Sequence, residues 1–126
     1  MHGLTPSNIV ITHGGDEGLR LAVTTFVDPG EHCLFEDPTY SLYSVLAGIQ
    51  DAKSLSIELN DDWSLPEDFA DRAIKSESKL TFIVNPHAPS GRFLTDKALG
   101  AIADSIPGVL LIDEAYFDFV DTKLKY

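Results

Sequence analysis

The stretch Val109-Leu110-Leu111-Ile112-Asp113-Glu114-Ala115-Tyr116 decides how the rest of the chain is interpreted. Its apolar residues follow Pro107-Gly108 and predict a buried strand of a parallel sheet. Ligands of open α/β sheets bind outside the carboxyl ends of the strands, so we expect Asp113 at the rim of a ligand crevice, with Tyr116 nearby. A carboxylate and a phenol there suit a pyridine ring that carries a neighbouring hydroxyl group. The alternative is that Asp113 only caps the turn that follows the strand.

Strands and helices are predicted to alternate along the whole chain. The apolar patterns predict strands at 8–12, 32–36, 54–59, 80–84 and 109–112, and helices over 16–27, 42–49, 66–75 and 95–105. The run Ser64-Leu65-Pro66-Glu67 is typical of a capping box for the third helix, and Thr95 is the expected N-cap of the fourth. Residues 54–59 alternate in polarity and are expected near a sheet edge. The fold class is therefore α/β, with a mostly parallel sheet and helices on both of its faces.

Composition limits the possible functions. The chain has 126 residues, of which 44% are hydrophobic, enough for one domain with a modest core. Its net charge of −11 weighs against nonspecific binding to nucleic acid or an anionic membrane. No apolar run suggests a membrane span or a signal peptide, and a cytoplasmic location is expected. Cys33 is expected in the core, and the histidines lack metal-ligand spacing, so no metal site is predicted.

Four segments that follow predicted strands should meet at one edge of the sheet. Backbone amides of Gly15, Asp16 and Glu17 would point from a helix N-terminus toward an anion such as phosphate. Tyr40 could stack on a planar ring. Two prolines and a glycine stiffen the loop after Asn85 and could aim its amide into a site. Taken singly, each segment also has an ordinary explanation as a helix start, a strand-to-helix turn or a tyrosine at the edge of the core.

Together the four segments resemble fold-type-I, class I/II aminotransferases that depend on pyridoxal phosphate, and most of all the histidinol-phosphate aminotransferase kind. The resemblance lies in the segments 12–18, 37–43, 85–91 and 112–116, in this order and at these separations.

The resemblance implies a role for each candidate residue. Gly15 and Asp16 would help to hold the cofactor phosphate, with Glu17 beside them, and Tyr40 would stack on the pyridine ring. The phenolic oxygen of the ring would accept hydrogen bonds from Asn85 and Tyr116. Asp113 would pair with the pyridinium nitrogen. The X-Pro bonds at and near Asn85-Pro86 are expected to include cis bonds.

The resemblance covers residues 1–126 as part of a cofactor-binding large domain, without the small substrate-binding domain. The family's Schiff-base lysine follows the Asp-x-x-Tyr segment, and Lys123 and Lys125 come too soon after Tyr116 to match it. No catalytic residue is therefore assigned to this chain, and the chain alone is expected to be inactive. The partner of the first strand would lie beyond Tyr126, so we expect an exposed sheet edge or an intermolecular contact that covers it.

The resemblance further implies a whole protein that is a homodimer and transfers an amino group between an amino acid or amine and a 2-oxo acid. Two alternatives stay open. The first is a related fold-type-I decarboxylase or carbon–sulfur lyase. The second, of another class, is a flavodoxin-like ligand-binding module without covalent chemistry.

Overall fold

A computed structural model describes residues 3–121, so Lys123 and Lys125 lie outside the described residues. Within this range strands and helices alternate as predicted. The strands are β1 (His32–Asp37), β2 (Lys53–Glu58), β3 (Leu80–Val84) and β4 (Val109–Asp113). The helices are α1 (Gly15–Phe26), α2 (Leu42–Ile49), α3 (Phe69–Ser76) and α4 (Asp96–Ser105), with short 3₁₀ turns at Pro6–Asn8 and Phe117–Phe119. No helix among residues 3–121 is long and apolar enough to cross a membrane.

The sheet has the strand order β2-β1-β3-β4, and all neighbouring strands are parallel. The edge position predicted for residues 54–59 is confirmed, because among residues 3–121 β2 (Lys53–Glu58) pairs only with β1. Within the same range β4 also has a partner on one side only.

Apolar side chains fill both faces of the sheet, as an α/β fold with a helix layer on each side requires. On one face, Leu19 and Val23 of α1 and Leu46 of α2 pack against strand residues that include Phe82. On the other face, Phe69 of α3 and Leu99 of α4 lie in a second cluster with Leu34 and Ile83. Cys33 is buried in the first cluster, as predicted. The predicted three-layer α/β fold is confirmed.

Three local predictions were wrong. The strand at 109–112 was predicted to be buried, but β4 is only partly buried and Ile112 is 37% exposed, because among residues 3–121 β4 has a neighbouring strand on one side only. Residues 8–12 are not a strand: Ile9 leaves a 3₁₀ turn with extended backbone, and no neighbouring strand supplies ladder partners among residues 3–121. Val10 and Ile11 are consequently 79% and 93% exposed. The third helix does not start with a capping box at Ser64, because that hydroxyl bonds to Asp62 in the preceding loop. Helix α3 starts later, at Phe69. Thr95, by contrast, is the N-cap of α4, and its hydroxyl accepts from the Ala98 amide at 3.4 Å.

Gly108 fixes the start of β4. Its φ of +119° lies in the region that favours glycine, and a Cβ there would come within 2.6 Å of the Lys79 carbonyl oxygen. The close approach lets the Val109 amide donate to the same carbonyl at 3.0 Å, which starts the β3–β4 pairing. That pairing aligns Val84 with Asp113 at the opposite, carboxyl end of the two strands.

Candidate functional site

The strand order predicts where a ligand crevice should lie. The chain runs outward from β1 to β2 and then crosses back to β3 on the other side of β1. Such a reversal between adjacent parallel strands is the usual place for a ligand, at their carboxyl ends. The observed pairing agrees, because β1 and β3 pair only as far as Phe35 and Phe82. The two strands therefore separate where the crevice is expected.

A cavity of about 550 Å³ lies at this end of the sheet. This volume falls within the range of small-molecule sites. Its wall combines the start of α1, the turn after β1, the loop after β3 and the end of β4. The lining residues are Gly15, Asp16, Leu19, Thr39, Tyr40, Ser41, Val84, Ala88, Pro89, Asp113, Ala115 and Tyr116. Of the residues singled out from the sequence, Gly15, Asp16, Tyr40, Asp113 and Tyr116 thus share one cavity.

Asp113 is held from two sides at the cavity wall. Its Oδ2 accepts a hydrogen bond from the Tyr43 hydroxyl at 2.8 Å, and its Oδ1 accepts one from the Ala115 amide at 3.0 Å. The bond to Ala115 shows that Asp113 does cap the turn after β4. Asp113 also accepts from Tyr43 and lines the cavity, so its carboxylate is placed to contact a ligand as well as to cap the turn. Two fixed donors orient the carboxylate before any ligand arrives, which lowers the cost of binding a cation.

Tyr43 is a residue of the site that the sequence analysis missed. It is fully buried, and its ring stacks on Phe82 with centroids 4.5 Å apart and planes 16° apart. Burial, followed by the hydrogen bond to Asp113, raises the pKa of the Tyr43 phenol, so the phenol stays a donor. The only signal in the sequence was its position three residues after Tyr40, at the start of α2, which could equally indicate a core aromatic residue.

Tyr40 presents a ring to the same cavity. It is 44% exposed and meets Tyr43 edge to face, with centroids 5.8 Å apart. Its hydroxyl donates to Asp16 Oδ1 over a long 3.4 Å. The negative charge of Asp16 raises the pKa of the Tyr40 phenol. The ring edge is thus fixed by Tyr43 and Asp16, while much of the ring remains open to a planar ligand.

The start of α1 supplies backbone amides to the cavity. Gly14 is the N-cap with a φ of +110°, and Gly15 and Asp16 follow as the first helical residues. The amides of a first helical turn have no acceptor within the helix and favour an anion. Glu17 does not line the cavity. Its Oε2 turns back to accept from the His13 amide at 2.6 Å, which lowers the Glu17 pKa. Any role of Glu17 is therefore in shaping the turn.

Asn85 also does not line the cavity, contrary to the expectation that its amide points into the site. It is fully buried, its Oδ1 accepts from the Leu94 amide at 2.7 Å and its Nδ2 donates to the Leu94 carbonyl at 3.0 Å. These bonds close the loop between β3 and α4. An Asn side chain has two N–H donors, so contact with a ligand would have to use the second one. That role stays a prediction.

The loop after Asn85 is tied to the turn after β1. His87 Nε2 lies 2.9 Å from the Pro38 carbonyl oxygen, and His87 Nδ1 lies 2.8 Å from the Ser90 hydroxyl. The expected cis bonds are present at Asn85-Pro86 and Ala88-Pro89, and a further cis bond that was not expected is present at Asp37-Pro38. His87 is thus engaged within the loop. Among residues 3–121, no three His, Cys, Asp or Glu side chains are grouped as a metal ion would need.

One polar atom of the cavity wall lacks a protein partner. Thr39 Oγ1 is buried and has no hydrogen-bond partner among the described residues. Buried polar atoms are nearly always paired, so this hydroxyl is an unused hydrogen-bonding group next to the cavity. The wall as a whole offers a fixed carboxylate, an aromatic ring and helix amides. This set suits a planar, cationic ring that carries an anionic tail.

Comparisons with known proteins identify the family. The sequence model of the family described as "Aminotransferase class I and II" matches residues 1–126. The chain is 33% identical over 122 residues to the histidinol-phosphate aminotransferase of Caldanaerobacter subterraneus, covering 96% of this chain and 35% of that protein. It is 40% identical over 119 residues to the enzyme of the same name from Rippkaea orientalis, covering 94% and 33%.

Solved structures show the same fold. A histidinol-phosphate aminotransferase from Sinorhizobium meliloti, in complex with pyridoxal-5'-phosphate, superposes with a TM-score of 0.88 at 22% identity, covering 97% of this chain and 34% of that one. N-succinyldiaminopimelate aminotransferase from Mycobacterium tuberculosis superposes with a TM-score of 0.74 at 30% identity, covering 83% and 29%.

The strand order alone would also fit a flavodoxin-like sheet, so the sequence comparisons are needed to separate the two. This chain spans about a third of the length of the curated relatives that it matches. The match of the family model along all of residues 1–126 settles the assignment: the chain belongs to the class I and II aminotransferase family.

Proposed function

We propose that the whole protein transfers an amino group between an amino acid or amine and a 2-oxo acid with pyridoxal phosphate as cofactor. In this proposal residues 1–126 form part of its cofactor-binding domain. The observation that carries the proposal is the carboxylate of Asp113, held by Tyr43 and Ala115 in the wall of a cavity that also contains Tyr40 and a helix N-terminus.

The cavity fits this cofactor in its chemistry as well as its volume. The Asp113 carboxylate would hold a proton on the pyridine nitrogen, since a nearby opposite charge favours the protonated ring. The Tyr40 ring would cover one face of the pyridine. Amides of Gly15 and Asp16 would bind the phosphate, and the unpaired Thr39 hydroxyl would add a donor at the wall. Tyr116 lines the same cavity and would donate to the phenolic oxygen, and Asn85 would donate to that oxygen through the N–H that is not bonded to Leu94.

When bound, pyridoxal phosphate supplies an electron sink for the carbanion of the substrate. Tyr43 and Asp113 of this chain would support that role at the ring nitrogen. Tyr43 donates to Oδ2 of Asp113 and so fixes the orientation of this carboxylate, and the raised pKa of the Tyr43 phenol keeps it a donor. The catalytic lysine is not assigned to any residue of this chain.

Histidinol phosphate is the amino donor to test first, because the two curated relatives described above carry its name. We further propose a homodimer located in the cytoplasm. A related decarboxylase or carbon–sulfur lyase would share the same cofactor residues.

The test is an assay of the full-length protein loaded with pyridoxal phosphate. Histidinol phosphate or another amino donor is supplied with a 2-oxo acid, and the new amino acid is quantified. The proposal predicts its formation in equal amount to the donor consumed. Release of carbon dioxide or a thiol without amino transfer would instead support the decarboxylase or lyase. Failure to bind the cofactor would overturn both.

A further inference from the structure

A buried glutamate lies directly behind the cavity. Glu36, in the last part of β1, is 2% exposed. Its Oε1 accepts a hydrogen bond from the Val84 amide of β3 at 2.8 Å. Its Oε2 is buried and has no hydrogen-bond partner among the described residues. Burial of a carboxyl group with one unbonded oxygen lowers the stability of the fold, so packing alone does not explain this residue.

Glu36 acts where the central pair of strands comes apart. The β1–β3 pairing ends at Phe35 opposite Phe82, although the same register would place Asp37 opposite Val84. The outer pairings continue to the ends of their strands, Asp37 with Glu58 and Val84 with Asp113. Only the central ladder is interrupted. The Val84 amide, which would otherwise need a backbone acceptor, bonds to the Glu36 side chain instead.

The separation of β1 and β3 determines the width of the crevice. The turn with Thr39 and Tyr40 leaves the end of β1, and Val84 ends β3; all three line the cavity. The hydrogen bond from the Val84 amide to the Glu36 side chain therefore links the two strands whose ends carry these walls. Closure of the ladder by two more residues would draw Val84 toward Asp37 and narrow the cavity.

Glu36 itself is out of reach of a bound cofactor. It lines a separate void of only about 20 Å³, enclosed mainly by Ile83, Trp63, His87 and Leu94, which is room for about one water molecule. It does not line the 550 Å³ cavity. Any effect of Glu36 on the cofactor must therefore pass through the strands.

We propose that Glu36 is a positioning residue of the cofactor site, which holds β1 and β3 apart by accepting the Val84 amide and so keeps the crevice open. The inference rests on the proposed function, because the crevice is taken to be the cofactor site. The essential property is a hydrogen-bond acceptor of glutamate length, since a neutral carboxyl or an amide oxygen accepts as well as a carboxylate does.

The surroundings of Glu36 fit an acceptor that is not permanently charged. Asp113 and Tyr43 face it from the crevice side, and His87 and Arg92 line the small void. Burial raises the Glu36 pKa to about 7. Hydrogen bonds from the backbone amides of Val84 and of Glu36 itself oppose this rise, and the negative charge of Asp113 adds to it. The hydrogen bond to Val84 persists in both protonation states, so the crevice stays open across neutral pH.

The test compares variants of the full-length protein by titration with pyridoxal phosphate and by crystal structure. Glu36→Gln keeps the acceptor and the length, Glu36→Leu removes the acceptor at similar volume, and Glu36→Asp shortens the side chain. Glu58→Gln, exposed on the adjacent strand β2, is the matched control. We expect Glu36→Gln and Glu58→Gln to bind within about threefold of the wild type. Glu36→Leu and Glu36→Asp should bind at least tenfold more weakly.

The structural readout separates positioning from a general loss of stability. In Glu36→Leu the Val84 amide should bond to the backbone of β1, so that the central ladder extends beyond Phe35 and Phe82. If Glu36→Leu does not fold, Glu36→Asp provides both readouts. The inference would be overturned if Glu36→Leu bound the cofactor as tightly as the wild type or left the β1–β3 ladder unchanged. It would also be overturned if Glu36→Gln lost as much affinity as Glu36→Leu. Lack of cofactor binding by the wild type would overturn the proposed function instead. The length of the β1–β3 ladder in the variants would still test whether Glu36 holds the two strands apart.

Discussion

Replacement of Glu36 by Gln should change how stability depends on pH, by an amount that follows from the burial of this side chain. Burial raises the Glu36 pKa from its ordinary value of 4.5 to about 7 in the folded protein. The unfolded chain therefore releases this proton near pH 4.5, whereas the folded chain keeps it until about pH 7. The contribution of this group to the free energy of unfolding is therefore at its maximum below pH 4.5, falls as the pH rises to about 7, and is constant above that pH.

The gap between the two pKa values corresponds to about 3 kcal/mol over the whole window. Between about pH 5 and about pH 8 the expected loss is about 2.5 kcal/mol. The Gln variant cannot ionise at this position, so the wild type should lose this amount relative to Glu36→Gln while all other titrating groups cancel.

The assay is urea unfolding of the cofactor-free, full-length wild type and variant at several pH values between these limits. Glu58→Gln controls for a general effect of removing one negative charge, because Glu58 is exposed and should give a difference that stays nearly constant. A wild-type minus Glu36→Gln difference that is also constant from about pH 5 to about pH 8 would refute the reasoning. It would mean that Glu36 ionises near its ordinary pKa despite its burial.

Three further predictions follow from individual contacts. Asp113→Asn should weaken binding of pyridoxal phosphate to the full-length protein by about tenfold to a hundredfold, because a hydrogen bond to a charged group contributes about 1.5–3 kcal/mol; equal affinity in a spectroscopic titration would contradict the assigned pairing. Tyr43→Phe keeps the stacking on Phe82 but loses the 2.8 Å bond to Asp113, and should lower the free energy of unfolding by about 1–2 kcal/mol in urea. Gly108→Ala should destabilise by more than about 3 kcal/mol, because its Cβ would lie 2.6 Å from the Lys79 carbonyl oxygen at a φ of +119°. Gly100→Ala, in helix α4 with nothing within 4 Å of its Cβ, should instead stabilise by about 1 kcal/mol, and a similar response of both glycines would refute the steric argument.

The alternation of strands and helices could be predicted because each element carries its own apolar pattern. The run at 80–84 is apolar except for Thr81 and forms β3, which is buried at every position. Residues 8–12 show an equally good pattern, yet they form no ladder within residues 3–121. The local apolar pattern indicates that a segment tends to adopt extended backbone. A β-strand also needs a neighbouring strand to pair with, and whether one is present depends on the whole fold.

The members of the site could be predicted better than their contacts. Asp113 and Tyr40 follow strand ends, and parallel strands bring such ends to one edge, so their convergence followed from topology. The bond from Tyr43 joins residues 70 positions apart, and the bond from Val84 to Glu36 joins residues 48 positions apart. No local pattern encodes such pairs. Asn85 was predicted to face the cavity from its place after a strand, but its side-chain amide bonds to the Leu94 backbone of its own loop instead.

The central claim is that Asp113 faces the ring nitrogen of a cofactor bound between β1 and β3. It is tested most directly by a crystal structure of the full-length protein with pyridoxal phosphate. The account predicts the pyridine nitrogen within hydrogen-bond distance of the Asp113 carboxylate, the ring against Tyr40 and the phosphate at the amides of Gly15 and Asp16. A cofactor bound elsewhere, or in this cavity with its ring nitrogen directed away from Asp113, would contradict it.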